Sequence, residues 1–368
     1  MSDTRWRIER ATAGDEAALG HLLAQEALPG WVRLAHAREP SLGAGLAREG
    51  ERHDVVVARA TDGGRVLAMF TRSVRRVWLR GQPHRIGYLG QFRVDPELAR
   101  GPDRVRLLRD GFRFAREVLR RGDELPLDLT AVTADNRGAL RLLTAGVRGL
   151  PRYVRFADLT TLAIATRAPG RRATVACPSS ARDWPAICGV LAQHRAGHRL
   201  APVWDATALA RAGLAASDFL VVGGAAGQRA VAALWDQRAY KQTLVRGYRA
   251  DVRLARRAWN ATAARALGLP PLPPVGQALA QAWLAPVAAH DDGAAEALID
   301  AALATARARG LDQVLVGGWS GDPLLVRLRA TRRHIAVAST AYLVEWEPGA
   351  ADLVRWAPGP PAVEVATL

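Results

Sequence analysis

The chain has 368 residues, and its 51 basic against 35 acidic side chains leave a formal charge of +16. A hydrophobic share of 49% excludes a disordered chain, and no run of 18 apolar residues offers a spanning helix. Cys177 and Cys188 are too few for a disulfide scaffold and show no C-x-x-C metal spacing.

The length exceeds one ordinary core and predicts two domains. Arginine supplies nearly all of the positive charge, since Lys241 is the only lysine. That balance suits phosphorylated ligands, nucleic acid or an anionic surface, and an arginine- and alanine-rich coding bias would produce it equally well. The first residues carry Asp3 and Glu9 and lack an apolar core, so no secretion signal is read and a soluble, cytoplasmic protein is expected.

In chain order, Trp6 to Arg10 reads as a strand. Ala13 to Glu26 follows as an amphipathic helix with Ala17, Leu19, Leu22 and Leu23 on its buried side. A short helical piece is expected between Glu39 and Glu49, weakened by Gly43 and Gly45. Asp54 to Thr61 and Arg65 to Trp78 read as two strands around Asp62-Gly63-Gly64, a hairpin signal. His84 to Val94 is the next strand, stopped by Asp95-Pro96. From Arg104 the period changes to that of a helix, with Val105, Leu108, Phe112, Ala115 and Leu119 on one face and Asp103 at the expected N-cap. Leu125 to Thr133 is a further strand, Asp135-Asn136 caps a helix over Ala139 to Thr144, and Tyr153 to Ala165 supplies one or two more strands.

A linker is predicted at Arg167 to Arg172, after which the order repeats. Asp15 to Gln25 aligns with Asp183 to Gln193, and both end in Leu-Ala-Gln. His53 to Val57 matches Ser217 to Val221, and Arg65 to Ala68 matches Arg229 to Ala232. Ala115 to Gly122 matches Ala304 to Gly310, and Leu125 to Thr133 matches Leu311 to Trp319. A matched series of this kind implies two copies of one α/β fold, each a mixed central sheet flanked by helices. The second copy adds an insertion at Ala250 to Gly268 that reads as a basic helix, followed by the turn Pro270 to Pro274. The last strands, Tyr153 to Ala165 and Ile335 to Trp346, show no evident edge charges and are expected to partner each other.

A strand feeding a glycine-containing loop that opens a helix is a generic anion site, because backbone N–H groups and the helix dipole converge there. Arg100, Arg104 and Arg106 add formal charge to it. An ordinary strand-to-helix connection with a solvated arginine face reads the same way.

Val94-Asp95-Pro96-Glu97-Leu98-Ala99-Arg100-Gly101 before the long helix, and Asp135-Asn136-x-x-Ala139-x-x-Leu142 after it, resemble the corresponding elements of the GNAT acetyltransferase superfamily. The resemblance implies a tandem GNAT protein, with copies at 5–165 and 172–347 and a tail at 348–368. It also implies acetyl-CoA as cosubstrate, with its pyrophosphate on the loop and its carbonyl against the strand. On that basis the cofactor-binding residues are Val94, Arg100, Gly101, Pro102, Asp103, Arg104, Val105 and Asn136. The loop departs from the family's pattern, since Asp103 and Val105 stand where glycines belong. Leu143 stands where the family's thiolate-protonating tyrosine would be, and His290-Asp291-Asp292-Gly293 and Asp322-Pro323 leave the second copy further from the pattern.

Acyl transfer to an amine needs a proton acceptor, a polarised thioester carbonyl and a donor to the sulfur. Tyr88, Gln91 and Tyr153 are the catalytic candidates, Gln91 only for orienting. Read as a strand, Trp235 to Gln242 places Trp235, Gln237 and Lys241 on one face, opposite Asp236. Trp235, Asp236, Gln237 and Lys241 are the candidate substrate residues, suited to a carboxylate or amide near the junction of the copies; a strand end with a local ion pair is the plainer reading. No metal-binding spacing is present. The expected activity is acyl-CoA-dependent N-acylation of a small-molecule or peptide amine, with no membrane partner. The alternatives are a non-catalytic tandem protein that binds a ligand or partner, and an aminoacyl-tRNA-dependent peptidyl transferase of the Fem type. Only the last would bring in a nucleic acid.

Overall fold

The computed structural model describes residues 5–25, 31–98, 102–167, 177–178, 184–224 and 227–368. The first copy runs β1 (Trp6–Arg10), α1 (Glu16–Gln25), β2 (Val32–Ala37), α2 (Leu42–Leu46), β3 (Arg52–Ala60), β4 (Val66–Leu79), β5 (Gln82–Val94), α3 (Pro102–Phe114), β6 (Glu124–Thr133), α4 (Arg137–Thr144) and β7 (Arg152–Ala165). The second runs β8 (Cys177–Pro178), α5 (Trp184–Arg195), α6 (Ala206–Arg211), β9 (Phe219–Gly224), β10 (Gly227–Trp235), β11 (Gln242–Tyr248), α7 (Ala250–Ala261), α8 (Ala263–Leu267), β12 (Gln281–Ala289), α9 (Asp292–Ala308), β13 (Gln313–Trp319), α10 (Pro323–Thr331) and β14 (Ile335–Glu345). A short helix, α11 (Asp352–Arg355), lies in the closing segment. The linker predicted at Arg167 to Arg172 lies, beyond Arg167, outside the described residues.

Local chemistry accounts for most element ends. Gly63 and Gly64 turn the β3–β4 hairpin with φ of 91° and 70°, a region closed to most side chains. Pro102 opens α3 as a first-turn proline, so Asp103 sits inside the first turn rather than at the N-cap. The buried face of α3 is centred on Leu107 and Phe112, while Val105 and Leu108 are only half-buried. The shift arises because Leu107 reaches over Trp6, Ala58 and Ala68 at the sheet edge, a neighbourhood that periodicity does not report. In α1, Leu19, Leu22 and Leu23 are buried against Val57 and Met69, but Ala17 is exposed. The insertion is a pair of helices, α7 and α8, with no buried residue along α7.

Twelve strands form one sheet in the order β1-β3-β4-β5-β6-β14-β7-β13-β12-β10-β9-β8. The two copies therefore exchange their final strands. β14 of the second copy pairs with β6 over Ser339↔Thr133 to Glu345↔Leu127. β7 of the first copy pairs with β13 over Gln313↔Ala165 to Trp319↔Leu159. The expected pairing of the last strands occurs, with β7 and β14 antiparallel along nearly their whole length, and each also completes the sheet of the other copy. A separate two-stranded ribbon, β2 with β11, joins the copies a second time, and β2 is the one first-copy strand that sequence patterning did not flag.

Within the first copy, Arg72 on β4 is fully buried and bonds Asp128 through Nε and Nη2 at 2.8 and 2.7 Å, and Glu124 at 2.5 Å. Gly87 sits opposite Asp128 across the β5–β6 pair, where a Cβ would collide with both the carboxylate and the guanidinium. A buried pair of this kind contributes little over an apolar core, yet losing one partner costs about 3–5 kcal/mol. We predict that Asp128→Asn lowers unfolding free energy by about 3 kcal/mol or more, read by urea denaturation. A loss below about 1 kcal/mol would show the site to be solvated.

The exchange makes a second prediction. Separate fragments 1–167 and 177–368 each lack a central strand and expose the edges of β6 or β13. Neither should melt cooperatively, whereas the whole chain should unfold in one transition. Two soluble fragments with sharp, independent melting curves would contradict it.

Candidate active site

The first-copy site starts where β5 and β6 part. Their parallel pairing covers only Arg85↔Glu124 to Tyr88↔Leu129, although β5 continues to Val94 and β6 to Thr133. Thr130 closes the apex by donating to the Leu89 carbonyl at 2.8 Å. Just beyond it, β5 bulges against β4 between Met69 and Thr71, and Gln91 adopts a φ of 52°. A bulge re-aims the backbone, and a non-glycine residue at positive φ is uncommon enough to mark a functional position. The result is a V-shaped opening in the sheet, with β5 backbone groups facing it from Gln91 to Val94.

Tyr88 stands at the apex on the side facing the second copy. It is buried among Val77, Ile86, Leu129 and Leu159, and the Arg75 guanidinium lies 5.2 Å from its ring centre. Burial pushes the phenol up to about 12, only partly opposed by Arg75 and the Ala131 backbone, so the hydroxyl stays protonated at neutral pH. Tyr153 lies on the other face, edge-on to Phe112 with centroids 6.3 Å apart and beside Tyr342 from β14. Its hydroxyl is buried without a partner, and burial raises its pKa. Leu143 packs into the same aromatic cluster.

The helix side of the opening is α3. Asp103, an unfavourable group for a phosphate site, is offset by Arg5 at 3.4 Å and Arg106 at 3.8 Å. Pro102, Arg104 and Val105 complete the first turn, while Arg100 and Gly101 lie outside the described residues. Asn136 caps α4, its side chain accepting from the Ala139 amide at 3.1 Å. In this conformation that oxygen is committed to the helix.

The residues after Trp235 do not continue the strand. β10 ends there, and Asp236 to Lys241 form a turn closed by Lys241 N–H on the Gln237 carbonyl at 2.8 Å. The alternation expected from the sequence is therefore absent. Trp235 is buried edge-on to Trp204, and Asp236 pairs with Arg238 at 2.7 Å. The turn nevertheless brings Gln237 and Lys241 to one target, the chain's own final residues. Gln237 donates to the Ala366 carbonyl at 2.9 Å, and Lys241 donates to the Leu368 oxygen. Arg75 holds Thr367 through both its hydroxyl and its carbonyl, the latter at 3.1 Å.

A dense charged junction results beneath Tyr88. Burial, reinforced by Arg38 and Arg75, holds the Lys241 ammonium down at about 7. Burial and the charge of Lys241 hold His36 at about 3, so the imidazole is neutral. Arg38 and Glu49 form an ion pair whose side chains are almost fully enclosed. Arg38, Arg75 and His36 were not singled out from sequence. For Arg75 the available signal was a charge inside the largely apolar stretch Val66 to Leu79; His36 and Arg38 carried none.

The second copy has a matching divergence, with β12 and β13 paired only over Gln281↔Gln313 to Trp283↔Leu315. Its opening is filled. Gly317 lies so close to the closing segment that a Cβ would come within 2.9 Å of Val365, and within 3.0 Å of the Trp283 ring. Ala366 is buried there with Trp235, Tyr240 and Ala285. Asp291, just before α9, accepts from the Ala294 amide at 2.9 Å.

No family model and no curated protein matches the sequence. Solved structures do match. N-myristoyltransferase of Saccharomyces cerevisiae with bound myristoyl-CoA superposes with a TM-score of 0.59 at 10% identity, over 98% of this chain and 90% of that one. The fold is a tandem GNAT acyltransferase fold. A GCN5-related N-acetyltransferase from Sphaerobacter thermophilus superposes at 0.54 with 16% identity, over 95% and 98% of the two chains. Another from Anabaena variabilis reaches 0.51 at 13% identity, covering 94% of this chain and 74% of that one. The chain has, among its described residues, no helix long and apolar enough to cross a membrane. These solved structures are named as an N-myristoyltransferase and GCN5-related N-acetyltransferases, and the likeness is one of fold.

Proposed function

We propose that the chain is an acyl-CoA-dependent N-acyltransferase whose first copy holds the cosubstrate and acts on an amine entering from the junction of the copies. The observation that carries this reading is the parting of β5 and β6 beyond Tyr88↔Leu129 with Gln91 at positive φ, whereas Val365 and Ala366 pack into the matching opening of the second copy. Acetyl-CoA is the cosubstrate we favour, with the Gln91–Val94 backbone against its carbonyl and the first turn of α3 (Pro102 to Val105) near its phosphates. Asp103 fits that role because Arg5 and Arg106 offset its charge.

One residue at the apex and one from the second copy divide the proton work in this reading. Tyr88, kept protonated by burial, is our candidate to give its proton to the departing sulfur. Lys241, whose ammonium burial holds down at about 7, is our candidate to take the proton of the attacking amine. A backbone N–H in the bulged segment supplies the polarising donor. Tyr153 faces the aromatic core under α3, and we assign it a packing role.

Calorimetry with acetyl-CoA and desulfo-CoA tests the cosubstrate, and release of free thiol across an amine panel tests the transfer. Tyr88→Phe should lower kcat by roughly 10²–10⁴ with unchanged affinity for desulfo-CoA. Equal turnover in wild type and Tyr88→Phe would remove Tyr88 from the mechanism.

The pH dependence has a definite sign. Below about 7 Lys241 is protonated and cannot accept a proton, so kcat/KM should rise as pH passes upward through that value. Lys241→Met should abolish that limb and most of the rate. A profile that keeps the same limb in Lys241→Met would assign the base elsewhere.

A further inference from the structure

Between the copies, beside Tyr88, lies a cavity of about 40 Å³ whose lining includes Arg48, Arg75, Arg76, Arg211, Glu49 and Glu51. Its charges do not balance. Glu49 is taken by Arg38, and Glu51 by Arg76 and Arg85 at 2.7 and 2.9 Å. Arg76 is also paired with Asp205 from the second copy. Arg48, Arg75 and Arg211 are left with no carboxylate within ion-pair distance among the described residues.

Arg75 is the sharpest case. It is 8% exposed, its Nε has no partner, and its two terminal nitrogens reach only the Thr367 hydroxyl and carbonyl. Glu364 is another carboxyl near enough to influence it, and burial holds that group at about 7. Arg48 lies over the Tyr240 ring at 4.6 Å, a contact that orients a cation without neutralising it. Lys241, on the same side of the junction, is held to the Leu368 oxygen and adds no negative charge to the cavity lining. Enclosing the Arg75 guanidinium without a counter-ion is costly, and the half-buried Arg48 and Arg211, the latter near Asp205, add positive charge beside it, so the arrangement favours an anion in the cavity. The space suits a carboxylate-sized group, since one water takes about 30 Å³ in the liquid. Guanidinium groups match the planar geometry of a carboxylate.

We propose that this cavity seats a carboxylate of the acceptor, making the substrate an amine that carries a carboxylate close to its reacting nitrogen. The inference rests on the acyltransferase reading above, because Arg75 connects the seat to Tyr88 by lying over its ring. Three cations from different parts of the fold converge on it: Arg48 after α2, Arg75 on β4 and Arg211 at the end of α6. The seat exists only because the two copies are joined.

Two measurements on the full chain separate this inference from the reading beneath it. In the first, thiol release is followed with matched acceptors, an ω-amino carboxylate against its primary amide. The expected ratio of kcat/KM is about tenfold in favour of the carboxylate, the scale of one charge-assisted bond. Arg48→Gln and Arg211→Gln should each bring that ratio toward one, whereas a merely structural loss would lower both rates alike and leave it unchanged. In the second, the melting temperature is titrated with acetate against chloride at equal ionic strength. Acetate should raise it in the wild type and not in Arg211→Gln. A shift with acetate but no acyl transfer to any amine would keep the seat and remove the acyltransferase reading. Transfer with equal rates for both acceptors and no acetate effect would overturn the seat alone. Absence of both signals would overturn both.

Discussion

The constraint on which the rest of the molecule depends is the exchange of β7 and β14. Each copy ends in a strand that its own sheet does not use, and each sheet is completed by the strand of the other. The connection is made of main-chain hydrogen bonds along two long antiparallel ladders, so it cannot be loosened by surface substitutions alone. It also sets the distance between the two cofactor-type openings and brings the face of the first copy against loops of the second. The segment 199–203 is held to β4 by backbone bonds such as Trp78 N–H to Ala201 at 2.7 Å. Every cross-copy contact at the proposed acceptor site follows from that placement.

The closing segment uses the same geometry. Ala350, Ala351, Val354 and Ala357 pack onto the first copy with Leu127, Leu159 and Leu343. Val365 and Ala366 then enter the second copy, where they fill its opening. One stretch of chain thus covers one sheet and closes the other. Gly317 matters because any side chain there would meet Val365 or Trp283.

Electrostatics in the junction follow from burial more than from any single pair. Lys241, His36, Tyr88 and Glu364 are all shifted toward their neutral forms, with loss of solvent as the first cause in each. A site of this kind holds proton donors and acceptors with little net cost in ionisation at neutral pH. Arg72 shows the opposite outcome, remaining charged at full burial because Asp128 and Glu124 surround it. The difference lies in partners, since Arg72 has two carboxylates and Lys241 has the oxygen of Leu368.

Sequence alone determined most of the order of elements, β2 excepted, the hairpin at Gly63-Gly64, the capping asparagine at 136 and the repetition of one fold. These are local properties, fixed by side-chain period, by φ preferences and by hydrogen bonds a few residues long. It also drew attention to Gln237 and Lys241 as unusual, although the strand alternation used to place them does not exist. Only the tertiary structure decided that β2 pairs with β11, that the last strands are exchanged and that the closing segment lies in the junction. Such pairings join residues far apart in the chain, and main-chain ladders carry no composition of their own to mark which partner they will take. The charge imbalance around Arg48, Arg75 and Arg211 was hidden for the same reason. In a chain with 51 basic residues an arginine becomes distinctive only when its neighbours in space, and the missing carboxylate among them, are known.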